Sequence, residues 1–151
     1  MTLDRPCTSA GFSLIELMTV LVIVAVLGAI ALPSYRYAIC KVKRAEGKSA
    51  LLKVMQQQEQ VYTQRTAYIA FSAQSSEPEQ RQFKWFSNET PAASAYEIEA
   101  QPCTGMHIAD CVQLIARPGT AKVNQHYVDQ QCGNLRLDSF GRMSADGDGC
   151  W

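Results

Sequence analysis

The apolar residues of this chain are concentrated near its start, in one run from Phe12 to Leu32. Within that run only Ser13, Glu16 and Thr19 are polar, so a helix formed by it is apolar on every side. At about 1.5 Å per residue, such a helix is just long enough to cross a hydrocarbon core of about 30 Å. The pattern predicts a helix that must be buried in lipid or in other protein chains.

A cleaved secretory signal peptide and a plain signal anchor are the two ordinary explanations of such a run. A signal peptide has a shorter apolar region, and its small-residue cleavage site comes after that region. Here the small residues Ala10 and Gly11 come before the run. We therefore expect the apolar segment to stay with the protein after processing.

A second helical pattern follows and extends to about Arg65. This segment is rich in Ala, Leu, Lys, Gln and Glu, and Gly47 is its only glycine. Its apolar residues form an approximate stripe at helical spacing, made of Val42, Ala45, Leu52, Met55, Val61 and Tyr62. We expect its basic residues to form a solvated surface, with phospholipid headgroups or acidic groups of a neighbouring subunit as the alternative contact: Lys41, Lys43, Arg44, Lys48 and Lys53.

The rest of the chain predicts a loop followed by a small sheet. Residues 66–95 show little periodicity, which indicates a long loop with a short helical turn near Glu79–Phe86. Strand patterns occur at Tyr96–Gln101, Cys111–Arg117, Asn134–Asp138 and, after a turn, near Arg142–Ser144. We predict an α+β fold, in which one long N-terminal helix packs on an antiparallel sheet of three or four strands.

Charge and composition exclude little by themselves. The 14 basic residues balance the 14 acidic ones, so net charge does not favour nucleic acid or an anionic membrane as partner. His107 and His126 are the only histidines, and neither lies in a nucleophile motif. The sequence also has no Gly-rich phosphate loop and no paired catalytic carboxylates. We expect no enzymatic activity, no cofactor and no metal.

Glu16 is the informative residue of the apolar run. A lone carboxylate in a membrane span costs about 2.5–3.5 kcal/mol, so it should have a partner. Cleavage after Gly11 would create a positive α-amino group on Phe12, one helical turn from Glu16. The same group would be within reach of Glu16 in a neighbouring chain.

The segment Gly11–Leu17 resembles the type IV prepilin cleavage motif, with glycine before the cut, phenylalanine after it and glutamate fifth in the mature chain. Pro33 falls where that family often places a helix-kinking proline. The resemblance implies cleavage after Gly11 by a prepilin peptidase, N-methylation of Phe12, and a role for Glu16 in subunit docking. It divides the chain into a leader (1–11), a transmembrane and polymerisation half-helix (12–33), an amphipathic half-helix (34–65), an αβ-loop (66–95) and a sheet with a disulfide-bonded C-terminal region (96–151).

The resemblance also implies a location and a set of partners. Such a subunit crosses the inner membrane once before assembly and lies in an extracellular pilus afterwards, with its C-terminal domain periplasmic or extracellular. Its partners are other major and minor pilin subunits, the prepilin peptidase and the inner-membrane assembly platform. The leader departs from the positive-inside rule, because its Arg5 is offset by Asp4 while several basic residues follow the span.

The cysteines fit this arrangement. Cys7 leaves with the leader, and we expect Cys40 to be a small core residue rather than a link to a partner chain. The other four allow three pairings, of which we expect Cys103–Cys111 and Cys132–Cys150. A metal held by Cys103, His107 and Cys111 is the weaker alternative, as is calcium at Asp146 and Asp148.

The C-terminal sequence resembles that of PilE-type minor pilins, in the segment Cys132–Leu135 and in the ending Cys150-Trp151. The predicted function is therefore a minor pilin that joins or primes a pilus used for twitching motility or adhesion. One alternative is a type II secretion pseudopilin. The other is a ComP-like minor pilin that binds DNA for uptake, for which the basic candidates are Arg81, Lys84, Arg117, Lys122, Arg136 and Arg142.

Overall fold

The computed structural model describes residues 11–151, so the predicted leader lies outside the described residues except for Gly11. Contacts divide the chain into two compact units, one ending at Ile39 and one beginning at Cys40. The elements are α1 (Leu14–Arg65), α2 (Pro78–Arg81), β1 (Tyr96–Pro102), β2 (Val112–Pro118), β3 (Leu135–Asp138) and β4 (Met143–Ala145).

The four strands form one antiparallel sheet in the order β1-β2-β3-β4, which confirms the predicted α+β architecture. Each strand begins or ends within about one residue of its sequence pattern. The apolar alternation places Tyr96 and Ile98 of β1, Leu114 of β2 and Leu135 of β3 on the inner face, where they are buried. This face packs on the second part of α1.

The helical stripe predicted from the sequence is partly wrong. Val42, Ala45 and Leu52 are exposed, and the buried face of α1 is instead formed by Gly47, Ala50, Leu51, Val54 and Gln58. These five positions follow the i, i+3, i+4 spacing of one helix face. Glycine and glutamine at two of these positions give no apolar signal, and the apolar Ala50, Leu51 and Val54 were not part of the predicted stripe.

Gly47 is buried because the ring of Tyr96 occupies the space of its missing side chain. A Cβ atom built on Gly47 would lie 2.8 Å from a carbon of that ring. Gly47 therefore lets β1 approach the helix, which offsets the usual cost of about 1 kcal/mol for glycine inside a helix.

The αβ-loop covers the outer edge of β1. Phe71 pairs with Ala100 and Phe86 pairs with Glu97 as isolated antiparallel bridges. The loop is held to α1 by Gln58, whose side-chain amide both donates to and accepts from the backbone of Ile69, at 2.6 and 3.0 Å. The helical turn in this loop is shorter than predicted and ends at Arg81.

Two disulfide bonds hold the sheet region. One joins Cys103 to Cys111 between β1 and β2, and the other joins Cys132 to Cys150 near the C-terminus. The next residue, Trp151, donates its indole N–H to the Ser144 carbonyl oxygen at 2.8 Å. Cys40 has a free thiol and is half-buried against the core, rather than fully buried.

Candidate functional site

The first half of α1 exposes a continuous apolar surface. Phe12 is 80 % exposed and Leu14 73 %, and the exposure continues through Leu32 at 66 %. The helix is long and apolar enough to cross a membrane, by length and composition. A surface this large must be covered by lipid or by other chains, because soluble monomers rarely expose apolar patches beyond a few hundred Å².

The residues of the processing motif lie at the beginning of this helix. Gly11 and Phe12 precede α1, and Glu16 lies in its first turn. In the described part of the chain, Glu16 forms no ion pair. Its position at the positive end of the helix macrodipole favours a carboxylate there.

A buried ion pair joins α1 to the loop between β2 and β3. Arg44 donates to both carboxylate oxygens of Asp129, at 2.9 and 2.8 Å, and the Asp129 side chain is only 1 % exposed. The Tyr96 hydroxyl and the Cys132 backbone N–H also donate to this carboxylate, at 2.7 and 3.1 Å. The prediction that Arg44 lies on a solvated surface is therefore wrong, and its acidic partner lies too far along the sequence for a local pattern to reveal it.

These contacts set the protonation of the cluster. Burial by itself raises the pKa of Asp129, but the hydrogen bonds from Arg44, Tyr96 and Cys132 outweigh it and hold the pKa below its ordinary value. Burial raises the pKa of the Tyr96 hydroxyl, and its hydrogen bond to Asp129 raises it further. Asp129 is therefore the ionised acceptor of the cluster, and Tyr96 is a neutral donor.

Four of the six basic residues considered for DNA contacts are already paired with carboxylates. Arg117 pairs with Glu99 and Arg136 with Asp146, each at 2.6 Å, while Arg142 pairs with Asp138 at 2.6 Å and Lys122 with Glu97 at 3.7 Å. These four ion pairs thus neutralise most of the positive charge on and around the sheet. A phosphate that bound there would compete with these carboxylates.

The other two candidates, Arg81 and Lys84, lie exposed on the αβ-loop and form no ion pair within residues 11–151. The ammonium group of Lys84 lies 4.9 Å from the centre of the Phe86 ring. Lys84 also lines a cleft of about 480 Å³ between the loop and α1, together with Phe86 and Lys53. Free cations and an aromatic ring therefore occur together at this cleft.

One of the two candidate calcium ligands, Asp146, is engaged in other contacts. Asp146 accepts hydrogen bonds from the backbone and side-chain amides of Asn134, both at 2.9 Å, as well as pairing with Arg136. These contacts lower the pKa of Asp146. Among the described residues, no group of three or more His, Cys, Asp or Glu side chains is arranged to hold a metal ion.

Comparison with known families gives two matches. Residues 33–136 match the family described as type IV minor pilin ComP, DNA uptake sequence receptor. Residues 7–32 match the prokaryotic N-terminal methylation motif. No curated protein is significantly similar in sequence. Among solved structures, a type IV pilin from Shewanella oneidensis is similar, with 20 % identity, 74 % of this chain and 97 % of that chain covered, and a TM-score of 0.47.

Proposed function

This chain belongs to the ComP family of type IV minor pilins, whose family model spans residues 33–136, and on that premise we propose how it matures and assembles. The chain is inserted in the inner membrane by residues 12–33 and cut after Gly11 by a prepilin peptidase, and Phe12 is then N-methylated. An assembly platform in that membrane transfers it into a pilus of major and minor subunits, with its sheet domain on the outside.

The observation that carries this proposal is the exposed apolar half of α1, from Phe12 to Leu32. Before assembly, lipid covers this surface. After assembly, equivalent helices of other subunits cover it. Since the surface moves between two apolar environments, the transfer costs little and the sheet domain remains folded.

Two residues are proposed to direct docking within the filament. The carboxylate of Glu16 pairs with the methylated α-amino group of Phe12 on a neighbouring subunit, which removes the cost of an unpaired charge among apolar helices. Pro33 has no amide hydrogen to donate to the Ala29 carbonyl. The helix is therefore less firmly bonded at Pro33 and bends more easily as the subunit packs.

Replacing Glu16 tests this mechanism. We expect a Glu16→Val chain to be inserted and cleaved normally but to be strongly depleted from sheared pili, measured by immunoblot against the cell-associated pool. The matched control is Thr19→Val, because Thr19 is also polar and in the span but its hydroxyl is satisfied by the Ile15 carbonyl, at 2.7 Å. Incorporation of Glu16→Val at the level of this control would contradict the proposed pairing.

A second candidate function is DNA binding, and two observations favour it. The family is described as a DNA uptake sequence receptor. The αβ-loop also carries two unpaired cations, Arg81 and Lys84, next to the aromatic residues Trp85 and Phe86. Free cations bind phosphates without first breaking an ion pair, so we propose that this loop contributes more to DNA affinity than the paired arginines of the sheet.

A mobility-shift titration of the purified mature chain in detergent tests this assignment. We expect salt-sensitive binding, and we expect Arg81→Gln with Lys84→Gln to reduce the salt slope by about one for each cation removed. Lys41→Gln is the control, because Lys41 is an exposed lysine on α1 that forms no ion pair among the described residues. Lack of salt-sensitive binding at low ionic strength would remove DNA binding as a function.

A further inference from the structure

The two edges of the sheet differ in how they are covered. The edge of β1 is bonded to the αβ-loop through Phe71 and Phe86. At the other edge, Asp138 N–H donates to the Arg142 carbonyl and Asp146 N–H donates to the Asn134 carbonyl, at 3.1 and 3.2 Å. Because bonded positions alternate along an antiparallel pair, the N–H and C=O groups of the intervening residues 143 and 145 point away from the sheet.

These outward-pointing groups form no hydrogen bond with a loop or side chain in the described region. The indole of Trp151 is bonded to the carbonyl of Ser144, whose backbone faces β3. Trp151 therefore leaves the backbone groups of Met143 and Ala145 free. β4 is consequently an open edge strand, and such edges are templates for pairing with another chain.

The segment Arg142–Asp146 is complementary to a second copy that runs in the opposite direction, because the basic residue at one end then faces the acidic residue at the other. We propose that β4 pairs with β4 of a second copy of this chain, antiparallel and with Ser144 on the two-fold axis. In that register Met143 lies opposite Ala145 of the second copy, and Arg142 lies opposite Asp146. Met143 and Ala145 belong to the inner face, since they are paired with the buried Leu137 and Leu135 on β3.

The paired edges satisfy groups that the single chain leaves exposed. The symmetric register forms four backbone hydrogen bonds, two at each Met143–Ala145 pairing. It covers Met143, which is 49 % exposed in the single chain. It also brings opposite charges together, because the Arg142 side chain is 69 % exposed and that of Asp146 45 % exposed, each with room for a second partner.

The symmetry determines which copies can pair. A two-fold axis that extends a sheet is perpendicular to it, and the α1 residues from Gly47 to Gln58 pack along the inner face of that sheet. The rotation therefore reverses the direction of this part of α1. Subunits of one filament share one direction of this part of α1, so the pairing joins subunits of different filaments. The inference thus rests on the proposed assembly but not on DNA binding.

Cysteine cross-linking tests the register in the full-length mature chain. Ser144 on the two copies forms a non-bonded antiparallel pair, with Cα atoms about 4.5 Å apart, which is within the range for a disulfide. We expect purified Ser144→Cys chain, in detergent micelles where copies orient freely, to oxidise to a covalent dimer. A Cys40→Ser background removes the free thiol of the described chain. The control is Ser76→Cys, an exposed serine of the αβ-loop.

Two further experiments separate specific pairing from random collision and from misfolding. Adding Met143→Lys to the Ser144→Cys chain should reduce the dimer to the Ser76→Cys level, because it places a charge in the apolar part of the interface. Mixing Met143→Cys chain with Ala145→Cys chain should give a severalfold excess of mixed dimer over the homodimers. Equal cross-linking of Ser144→Cys and Ser76→Cys, or no excess of mixed dimer, would overturn the proposed pairing.

Discussion

Removing the cation of the buried Arg44–Asp129 pair should strongly destabilise the sheet domain. In Arg44→Met the side-chain volume is largely kept, but the Asp129 carboxylate, 1 % exposed, loses both hydrogen bonds from the guanidinium. Breaking a buried pair from one side costs about 3–5 kcal/mol, a large share of the 5–15 kcal/mol that stabilises a typical domain. At about 4–8 °C per kcal/mol, the melting temperature should fall by at least about 12 °C.

The measurement is thermal unfolding of the mature chain in detergent, followed by near-ultraviolet circular dichroism of the tyrosines around Asp129. The matched control is Lys43→Met, which removes the neighbouring cation and its more exposed pair with Glu46. That loss should cost less than about 1 kcal/mol. The double variant Arg44→Met with Asp129→Asn should be less destabilised than the sum of the single variants, by about 1–3 kcal/mol.

The stability of the native chain and that of Arg44→Met should change differently with pH. In the native chain the folded-state pKa of Asp129 lies below its unfolded-state pKa. The ionised carboxylate therefore adds to the free energy of unfolding above the unfolded-state pKa, and this stabilisation is lost as pH falls through the folded-state pKa. In Arg44→Met the strongest of the contacts that lower this pKa is lost, so the folded-state pKa of Asp129 rises from its native value and the variant should lose less stability on acidification than the native chain does. Melting temperatures of Arg44→Met and Lys43→Met that agree at pH 7, or an equal loss of stability on acidification in Arg44→Met and the native chain, would refute this account.

Three other substitutions test the packing of the sheet domain. Gly47→Val should displace the Tyr96 ring and cost about 1–3 kcal/mol, measured in the same melts; unchanged stability would contradict the close approach of helix and strand. Gln58→Leu should remove both hydrogen bonds to the part-buried backbone of Ile69, at about 0.5–1.5 kcal/mol each, and should increase cleavage of the αβ-loop by added protease. Replacing Cys132 and Cys150 together by serine should cost about 3 kcal/mol, and a melt equal to that of the native chain would show that this bond is dispensable.

The parts of the fold that follow from local patterns were predictable from the sequence. The apolar run, the strand alternation and the turn before β4 each depend on neighbouring residues. The buried face of α1 was not predictable in the same way, because Gly47 and Gln58 are buried for reasons set by Tyr96 and the loop backbone. Periodicity of apolar residues gives no signal for such positions.

The residues of the candidate site also differ in whether the local sequence reveals their role. Glu16 is conspicuous because a carboxylate is rare among apolar neighbours, so sequence alone singled it out. Arg44 looked like one of several surface cations, and only the folded chain brings Asp129 to it. Likewise, Arg117, Lys122 and Arg136 pair with carboxylates that only the folded chain brings to them. The sequence could therefore list Arg81 and Lys84 among six candidates but could not separate them from the rest.

The second half of α1 has a buried side and an exposed side. Gly47 and Gln58 lie on the buried side, and Val42, Ala45 and Leu52 are exposed. Substitutions on the two sides should therefore have different effects in the cell. Changes on the inner side should appear as loss of protein from the cell, whatever the state of the secretion machinery. Changes on the outer side should leave protein abundance normal and appear only when subunits meet. A scan of single substitutions along this helix should therefore give two classes of phenotype that alternate with the helical period.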